Sequence, residues 1–460
     1  MSEAHQFNPT VLREYDIRGV VGKTLDVTDG EAIGRAFGSI AARQGGKTIA
    51  VGYDGRVSSP GFEAALLTGL NGAGIDVLRV GLGPTPMLYY AVHSLGADGG
   101  IMVTGSHNPP DNNGFKFMLG KSSFFGKSIQ ELGAVAAAGD YLSGAGTSKQ
   151  VPMLTRYVER VAEEGGGLQP LKVVWDAGNG AAGEAMALLT KQLPGEHILL
   201  NEKIDGTFPA HHPDPTVPEN LVQMIDRVRA DGCDLGIAFD GDGDRIGIVD
   251  GNGDILWGDQ ILALLARPVL RTQPGATIIA DVKASQVLFD EVARLGGTPQ
   301  MWMTGHSLIK SKMAESGAPL AGEMSGHIFF ADRYYGYDDA LYAAVRMLGV
   351  ISAEAKSLAE LRAELPQRIN TPELRFECDD ERKFDAIKEV SQRLSAAGAD
   401  VDAIDGVRVN TEDGWWLLRA SNTQPVLVAR CEAETETGLE RLKQALVGQL
   451  SESGIKPPDF

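Results

Sequence analysis

The chain has 460 residues, 43% of them hydrophobic and 22% charged, values that exclude a fibrous repeat and a disordered chain; its length exceeds one ordinary core, so three or four domains are expected. A net charge of -19 repels nucleic acid and anionic membrane in bulk, and no Lys/Arg-rich run offsets it, so an anionic ligand needs cations gathered locally. The start MSEAHQFNPT lacks a signal pattern, apolar runs such as 261–265 are too short to span a bilayer, and only Cys233, Cys378 and Cys431 occur, which argues against disulfides or a thiolate metal site and makes the cytoplasm the expected location.

In chain order, the first apolar run, 48–53, reads as a strand followed by a helix-like stretch. Further on, runs 101–103 and 115–118 flank the polar loop TGSHNPPDNNG. There Ser106 is preceded by Gly105, which frees the backbone, and followed by Pro109 and Pro110, which stiffen the exit. A serine hydroxyl is a poor nucleophile without a base or a metal. His107 is its neighbour, but adjacent side chains in an extended loop point apart, which leaves an orienting or structural role as open as a catalytic one. The G-x-S-x-G elbow is missing, which argues against an esterase.

The second section opens with run 172–175 and the turn GNGAAG. Gly178, Gly180 and Gly183 match the dinucleotide fingerprint, with Glu202 about 20 residues on, and taken alone suggest NAD. Asp176 and Ala177, however, separate the strand from the first glycine, and a lone match is common by chance. Runs 235–239 and 246–249 then flank DGDGDR. Its Asp240, Asp242 and Asp244 alternate with glycines that let the loop curl, so three carboxylates face one centre, where they repel one another unless a hard cation is held. An EF-hand is excluded, since Arg245 and Gly251 occupy the positions that need Gly and Glu. IAFDGDG also resembles the first motif of haloacid-dehalogenase-type phosphatases, which would make Asp240 the nucleophile. A solvated acidic turn is the plainest alternative.

The third section has run 277–280 and, before run 328–330, the loop GEMSGH. Run, Gly-rich polar loop, run: the recurrence looks like one α/β module used three times, although the spacings differ. After a helix-rich stretch ending near Leu365, residues 366–372 read as a linker. The tail changes character, with a helix at 384–397, a hairpin at 407–419 turning at 412–414, the loop RASNTQP, a strand at 426–430 and a final helix. Three similar mixed α/β domains (1–150, 151–252, 253–366) followed by a smaller α+β C-terminal domain (367–460) around a central cleft are therefore expected.

TGSHNPP, DGDGDR, GEMSGH and RASNTQP, in this order and at these separations, closely resemble the four signature loops of the α-D-phosphohexomutase family, and the likeness covers the chain from about residue 10 to its end. Met324 in GEMSGH looks like the bacterial phosphomannomutase/phosphoglucomutase branch; phosphoglucosamine mutases carry Gln there. The resemblance implies a phosphoserine at Ser106 and Mg2+ held by Asp240, Asp242, Asp244 and the serine phosphate, with Arg245 reaching toward the phosphoryl group in transfer. It assigns Glu323 and Ser325 to the sugar hydroxyls O3 and O4, with His327 nearby as a contact or proton carrier. It makes Arg419, Ser421, Asn422 and Thr423 the anchor of the phosphate that is not reacting, where a guanidinium, hydroxyls, an amide and free backbone N–H groups can converge. Tyr15 and Arg18 in EYDIRG, Lys116 in NGFKF, Lys283 in DVKAS and His306 in TGHS align with residues lining the cleft, and Lys116, with His327 or His306 assisting, is the favoured proton carrier. The implied substrates are hexose 1- and 6-phosphates of mannose, glucose or both, with glucose 1,6-bisphosphate as intermediate and activator. Residues alone leave three rivals: a phosphatase using Asp240, an NAD-dependent oxidoreductase using GNGAAG, and a sugar-phosphate binding protein without activity.

Overall fold

A computed structural model describes residues 4–422 and 424–458. Those residues form four sheets, and the first three share one strand order. In the first, Thr48–Tyr53 lies between its parallel neighbours Asp76–Leu82 and Gly99–Val103, and Gly99–Val103 turns into an antiparallel partner, Asn112–Leu119. In the second, Leu171–Asp176 lies between Gly195–Leu200 and Leu235–Phe239, and Leu235–Phe239 pairs antiparallel with Ile246–Asp250. In the third, Thr277–Asp281 lies between Thr298–Trp302 and Leu320–Gly322, and Leu320–Gly322 pairs antiparallel with Ile328–Phe330. The repeat that the sequence suggested is present three times.

The order follows from chain chemistry. Parallel neighbours need a crossover connection, and helices such as Ser59–Gly72, Val222–Asp231 and Gln286–Arg294 provide it. Central strands are covered on both faces, which is why the runs IAV, VVWD and IIAD are apolar without alternation. In each unit the antiparallel pair just described carries a signature loop between its strands: 104–111, 240–245 and 323–327. All three loops leave the carboxyl end of the same strand of the module, the end at which open α/β sheets bind ligands.

The tail is an antiparallel sheet. Helices Asp380–Ala396 and Glu436–Glu452 close its core around Val390, Trp416, Leu418 and Leu446. The structure corrects three details. The first tail helix begins at Asp380 rather than at 384, because Asp380 and Glu381 suit a helix amino terminus. The strand at 426 runs on to Ala433 because Gly414–Ala420 pairs with it along its whole length. The expected linker contains a strand, Ile369–Asn370, paired with Glu432 and Ala433.

One apolar core threads the three α/β units through Met102, Val173, Ile237, Leu262, Leu320 and Leu341. The tail docks on the third unit through a separate apolar cluster of Val282, Trp415 and Leu417 and through polar contacts. Buried Arg408 donates to the carbonyls of Val282 (2.7 Å) and Ala284 (2.8 Å), its guanidinium 3.7 Å from the Trp415 ring. Arg430 donates to the carbonyl of Lys283 at 2.5 Å. Buried guanidinium groups tolerate desolvation only with such partners, so the docking geometry is specific.

Candidate active site

The first and second signature loops meet at Ser106. Its Oγ donates to Asp240 Oδ2 at 3.0 Å and lies 3.2 Å from His107 Nδ1. Gly241 permits the approach, since a Cβ there would run into the Ser106 carbonyl, and Gly243 turns the loop at φ 73. Ser106 itself has φ 49, in the left-handed region. The expectation that His107 points away from Ser106 therefore fails: the alternation of an extended chain does not apply at that backbone angle.

Asp240, Asp242 and Asp244 are fully buried and offer ligand oxygens within 4.8 Å of one another. Lys116 Nζ lies 2.7 Å from Asp242 Oδ2 and 2.5 Å from Asp244 Oδ2, and Thr85 Oγ1 donates to Asp242 Oδ2 at 2.5 Å. Burial opposes the charge on Lys116, but Asp242 and Asp244 outweigh it and hold the ammonium well above an ordinary lysine. Burial likewise opposes the Asp242 carboxylate, yet Lys116 and Thr85 keep it well below the usual range. Asp240, by contrast, is pushed well up by burial and by the two neighbouring carboxylates, so one ammonium does not sustain three charges. Asp242 Oδ1 and Asp244 Oδ1 are buried and accept no hydrogen bond. Orphaned buried carboxylate oxygens converging on one point fit a hard divalent cation.

The third loop adds a different device. Arg245 Nε donates to His327 Nε2 at 3.0 Å. A guanidinium only donates, so the network assigns the proton of the neutral ring to Nδ1, which lies 3.0 Å from Asp338 Oδ2 and 3.6 Å from Asp244 Oδ1. A protonated nitrogen has no lone pair for a metal. Asp244, His327 and Asp338 lie close enough to form a second ligand cluster, but a ring nitrogen that carries a proton towards both carboxylates does not fit a ligand set. Asp338 Oδ1 accepts from Lys310 Nζ at 2.9 Å, and Lys310 also approaches His306 Nδ1 at 3.3 Å. The rings of His306 and His327 stack at 5.5 Å. Burial, reinforced by Lys310, keeps His306 neutral, its affinity for a proton well below that of an ordinary histidine.

Glu323 joins this centre to a second cluster. Its buried carboxyl accepts from the Gly305 N–H at 2.6 Å and is raised by burial, reinforced by Asp281 and opposed by Lys283. Ser325 is half-buried on the same turn. Beyond it Arg419 Nε donates to Asp405 Oδ2 at 2.9 Å, and Asp405 also accepts from the Thr304 N–H at 3.0 Å. Lys283 Nζ lies 2.8 Å from Glu373 and 3.6 Å from Asp281. Asn422 Nδ2 donates to Tyr15 Oη at 2.7 Å, and Tyr15 in turn donates to the Thr304 carbonyl at 2.8 Å, so the last unit touches the first and third across the cleft. Ser421 Oγ accepts from the Gln424 N–H at 3.2 Å. Arg18 pairs with Asp16 and donates to Asn108 Oδ1 at 3.1 Å, beside the serine loop. Thr423 lies outside the described residues.

Sequence reasoning missed Thr85, Lys310, Asp338 and Asp405. For Lys310 a signal existed: it stands four residues after His306 on helix His306–Ser316, hence on the same face. The other three come from separate segments and carry no local mark. The GNGAAG turn has a different use from a dinucleotide loop: Ala181 N–H donates to the Gly241 carbonyl at 2.9 Å, and a Cβ on Gly180 would meet Gly241, so its glycines let the metal-type loop pack backbone to backbone.

Comparison with known proteins agrees along the whole chain. Family models described as phosphoglucomutase/phosphomannomutase match in order: alpha/beta/alpha domain I over residues 9–140, domain II over 155–253, domain III over 257–369 and the C-terminal domain over 373–449. A phosphomannomutase/phosphoglucomutase of Pseudomonas aeruginosa is 45% identical over 441 residues, covering 96% of this chain and 95% of its own. A phosphoglucomutase of Neisseria gonorrhoeae is 42% identical over 439 residues, 94% of this chain and 95% of its own. The crystal structure of a phosphoglucomutase/phosphomannomutase family protein from Burkholderia thailandensis superposes with a TM-score of 0.93 at 43% identity, covering 99% of this chain and 100% of that one. With its four units in family order and its loops meeting in one cleft, the chain belongs to the phosphoglucomutase/phosphomannomutase family.

Proposed function

We propose that the protein is a phosphohexomutase that interconverts hexose 1-phosphate and hexose 6-phosphate, of mannose, glucose or both, through phosphorylated Ser106 and a hexose 1,6-bisphosphate. The observation that carries this reading is the Ser106 hydroxyl 3.0 Å from Asp240, on the rim of three buried carboxylates with orphaned oxygens. The names of the relatives point the same way.

The substrate hydroxyl attacks phosphorus, the bond to Ser106 Oγ breaks, and the bisphosphate turns over before its other phosphate returns a phosphoryl group to the serine. Arg245, held against His327, faces the group in transfer. Magnesium suits the three carboxylates and the serine phosphate, and when bound it neutralises phosphate charge so that serine becomes a tolerable leaving group. Lys116 is charged in this arrangement, so it donates a proton to the departing Ser106 Oγ while the attacking sugar hydroxyl gives its own to His306 or His327; the return step reverses both transfers. His107, on the same side of the chain as the Ser106 hydroxyl, orients it. Glu323 and Ser325 meet vicinal sugar hydroxyls that remain available when the bisphosphate turns. Arg419, Ser421, Asn422 and Thr423 hold the phosphate that is not reacting, while Tyr15, Arg18 and Lys283 complete the wall of the cleft.

Among the described residues no helix is long and apolar enough to cross a membrane, and all three cysteines are free and buried; free thiols fit an enzyme of the reducing cytoplasm that acts on phosphosugars. Intact mass before and after incubation with glucose 1,6-bisphosphate, localised by peptide mapping, tests the reading: phosphate belongs on Ser106. Phosphate on Asp240, or undiminished isomerisation by Ser106→Ala, refutes it.

A further inference from the structure

Arg56 lies outside the four signature loops and touches none of the carboxylates of the metal-type cluster, yet it is one of the largest fully buried side chains. Its Nη1 donates to the carbonyls of Pro109 (2.5 Å) and Asn112 (2.9 Å), and its Nη2 to those of Ser106 (2.7 Å) and Asn108 (2.6 Å). Three carbonyls of the serine loop and that of Asn112, where the next strand begins, thus converge on one guanidinium. Asp54, two residues earlier, takes a donor of the same loop, accepting from the Gly105 N–H at 3.1 Å, and pairs with Arg56 Nε at 3.3 Å. The ring of Phe208, from the second unit, covers the guanidinium at 5.1 Å.

We propose that Arg56 is a positioning residue for phosphoryl transfer, a clamp that holds the serine loop in one conformation whether or not Ser106 is phosphorylated. The inference rests on the phosphoserine reading given above. Ser106 has φ 49, a region that a residue with a Cβ keeps only where its surroundings over-determine it. During turnover the serine gains and loses a doubly charged group, so a loop held through its side chains would be pulled differently in the two states. Arg56 grips main-chain carbonyls instead, whose charge does not change. A planar fork of five donors can satisfy four acceptors at once, whereas the three donors of a lysine ammonium radiate from one atom and do not match them. Gly105 completes the fit, because a Cβ there would meet Arg56 Cζ and Nε.

The test is Arg56→Lys in the full chain, with kcat and KM measured beside wild type and with the phosphate on Ser106 mapped after incubation with glucose 1,6-bisphosphate. The expected result is a fall in kcat per phosphorylated Ser106 of about a hundredfold, the scale of a small misplacement of a reacting group, with KM little changed. A merely structural role would lower the amount of active protein and leave turnover per phosphorylated serine as in wild type, and that result overturns the clamp. If Arg56→Lys does not fold, Gly105→Ala replaces it, since it drives a methyl group against the guanidinium without removing a charge; wild-type turnover from it is equally fatal. Absence of phosphate from wild-type Ser106 refutes the phosphoserine reading itself, whereas labelled wild type with an unimpaired variant refutes the clamp alone.

Discussion

Lys116→Met isolates the electrostatics of the carboxylate cluster. The ammonium lies 2.7 Å from one fully buried carboxylate and 2.5 Å from another. At 2.7 Å and an effective dielectric constant of about 20, each contact is worth about 6 kcal/mol of Coulomb attraction. Desolvation offsets much of this, and removing one partner of a buried pair costs about 3–5 kcal/mol net. At about 2–4 °C per kcal/mol for a cooperative unit of 150–250 residues, the first thermal transition should fall by on the order of 10 °C in chelator. Two further outcomes separate charge from packing. Magnesium should raise the transition of Lys116→Met by more than that of wild type, because no ammonium competes with it for the carboxylates. Adding Asp242→Asn to Lys116→Met should restore part of the loss, since one uncompensated charge disappears. Differential scanning of the four proteins of this cycle, with and without magnesium, measures all of this. If Lys116→Met melts like wild type in chelator, or if the two substitutions simply add, the ion cluster is not what the geometry says it is.

Asp339, the neighbour of Asp338, gives a pH signature set chiefly by its burial. Its carboxyl accepts from Tyr157 and Tyr334, and burial raises it to about 6. The folded chain therefore holds a proton that the unfolded chain releases near pH 4, so wild type gains stability relative to Asp339→Asn as pH falls from about 7 to 4, by about 3 kcal/mol; parallel denaturant curves for the two proteins contradict this. Arg419→Lys should raise KM for the hexose phosphate about tenfold through loss of its charged hydrogen-bonding fork, and an unchanged KM in steady-state assays removes the phosphate-anchor role. Because the tail stays outside the apolar core that the three α/β units share, it is the unit expected to swing shut and exclude water from the phosphoserine; identical small-angle scattering profiles with and without substrate would falsify closure.

Much of the site was legible because its parts are local. DGDGDR places three carboxylates and the glycines that curl them within six consecutive residues, and the strands on either side are apolar enough to show that the loop starts from a buried sheet. The threefold module was visible for the same reason: run, polar loop and run recur in each unit. His107 was not legible, because its direction depends on the left-handed angle of Ser106, and that angle depends on an arginine fifty residues away. Nor was the state of Lys116, which becomes a buried cation only because strand Asn112–Leu119 delivers it to carboxylates of the next unit.

The linear order of residues by itself determined which chemistry was available: an acidic loop for a cation, a flexible serine loop, a sugar-type loop and an arginine loop, each a product of neighbours in the chain. Tertiary structure alone decided how those groups are charged and where they aim. Asp405 on Arg419 and Asp338 on His327 join residues of a single unit that only its folded sheet brings face to face, and Lys116 on Asp242 joins two units; the charge of that ammonium and that carboxylate is set by burial and by the opposite charge beside each, neither of which exists until the units have packed.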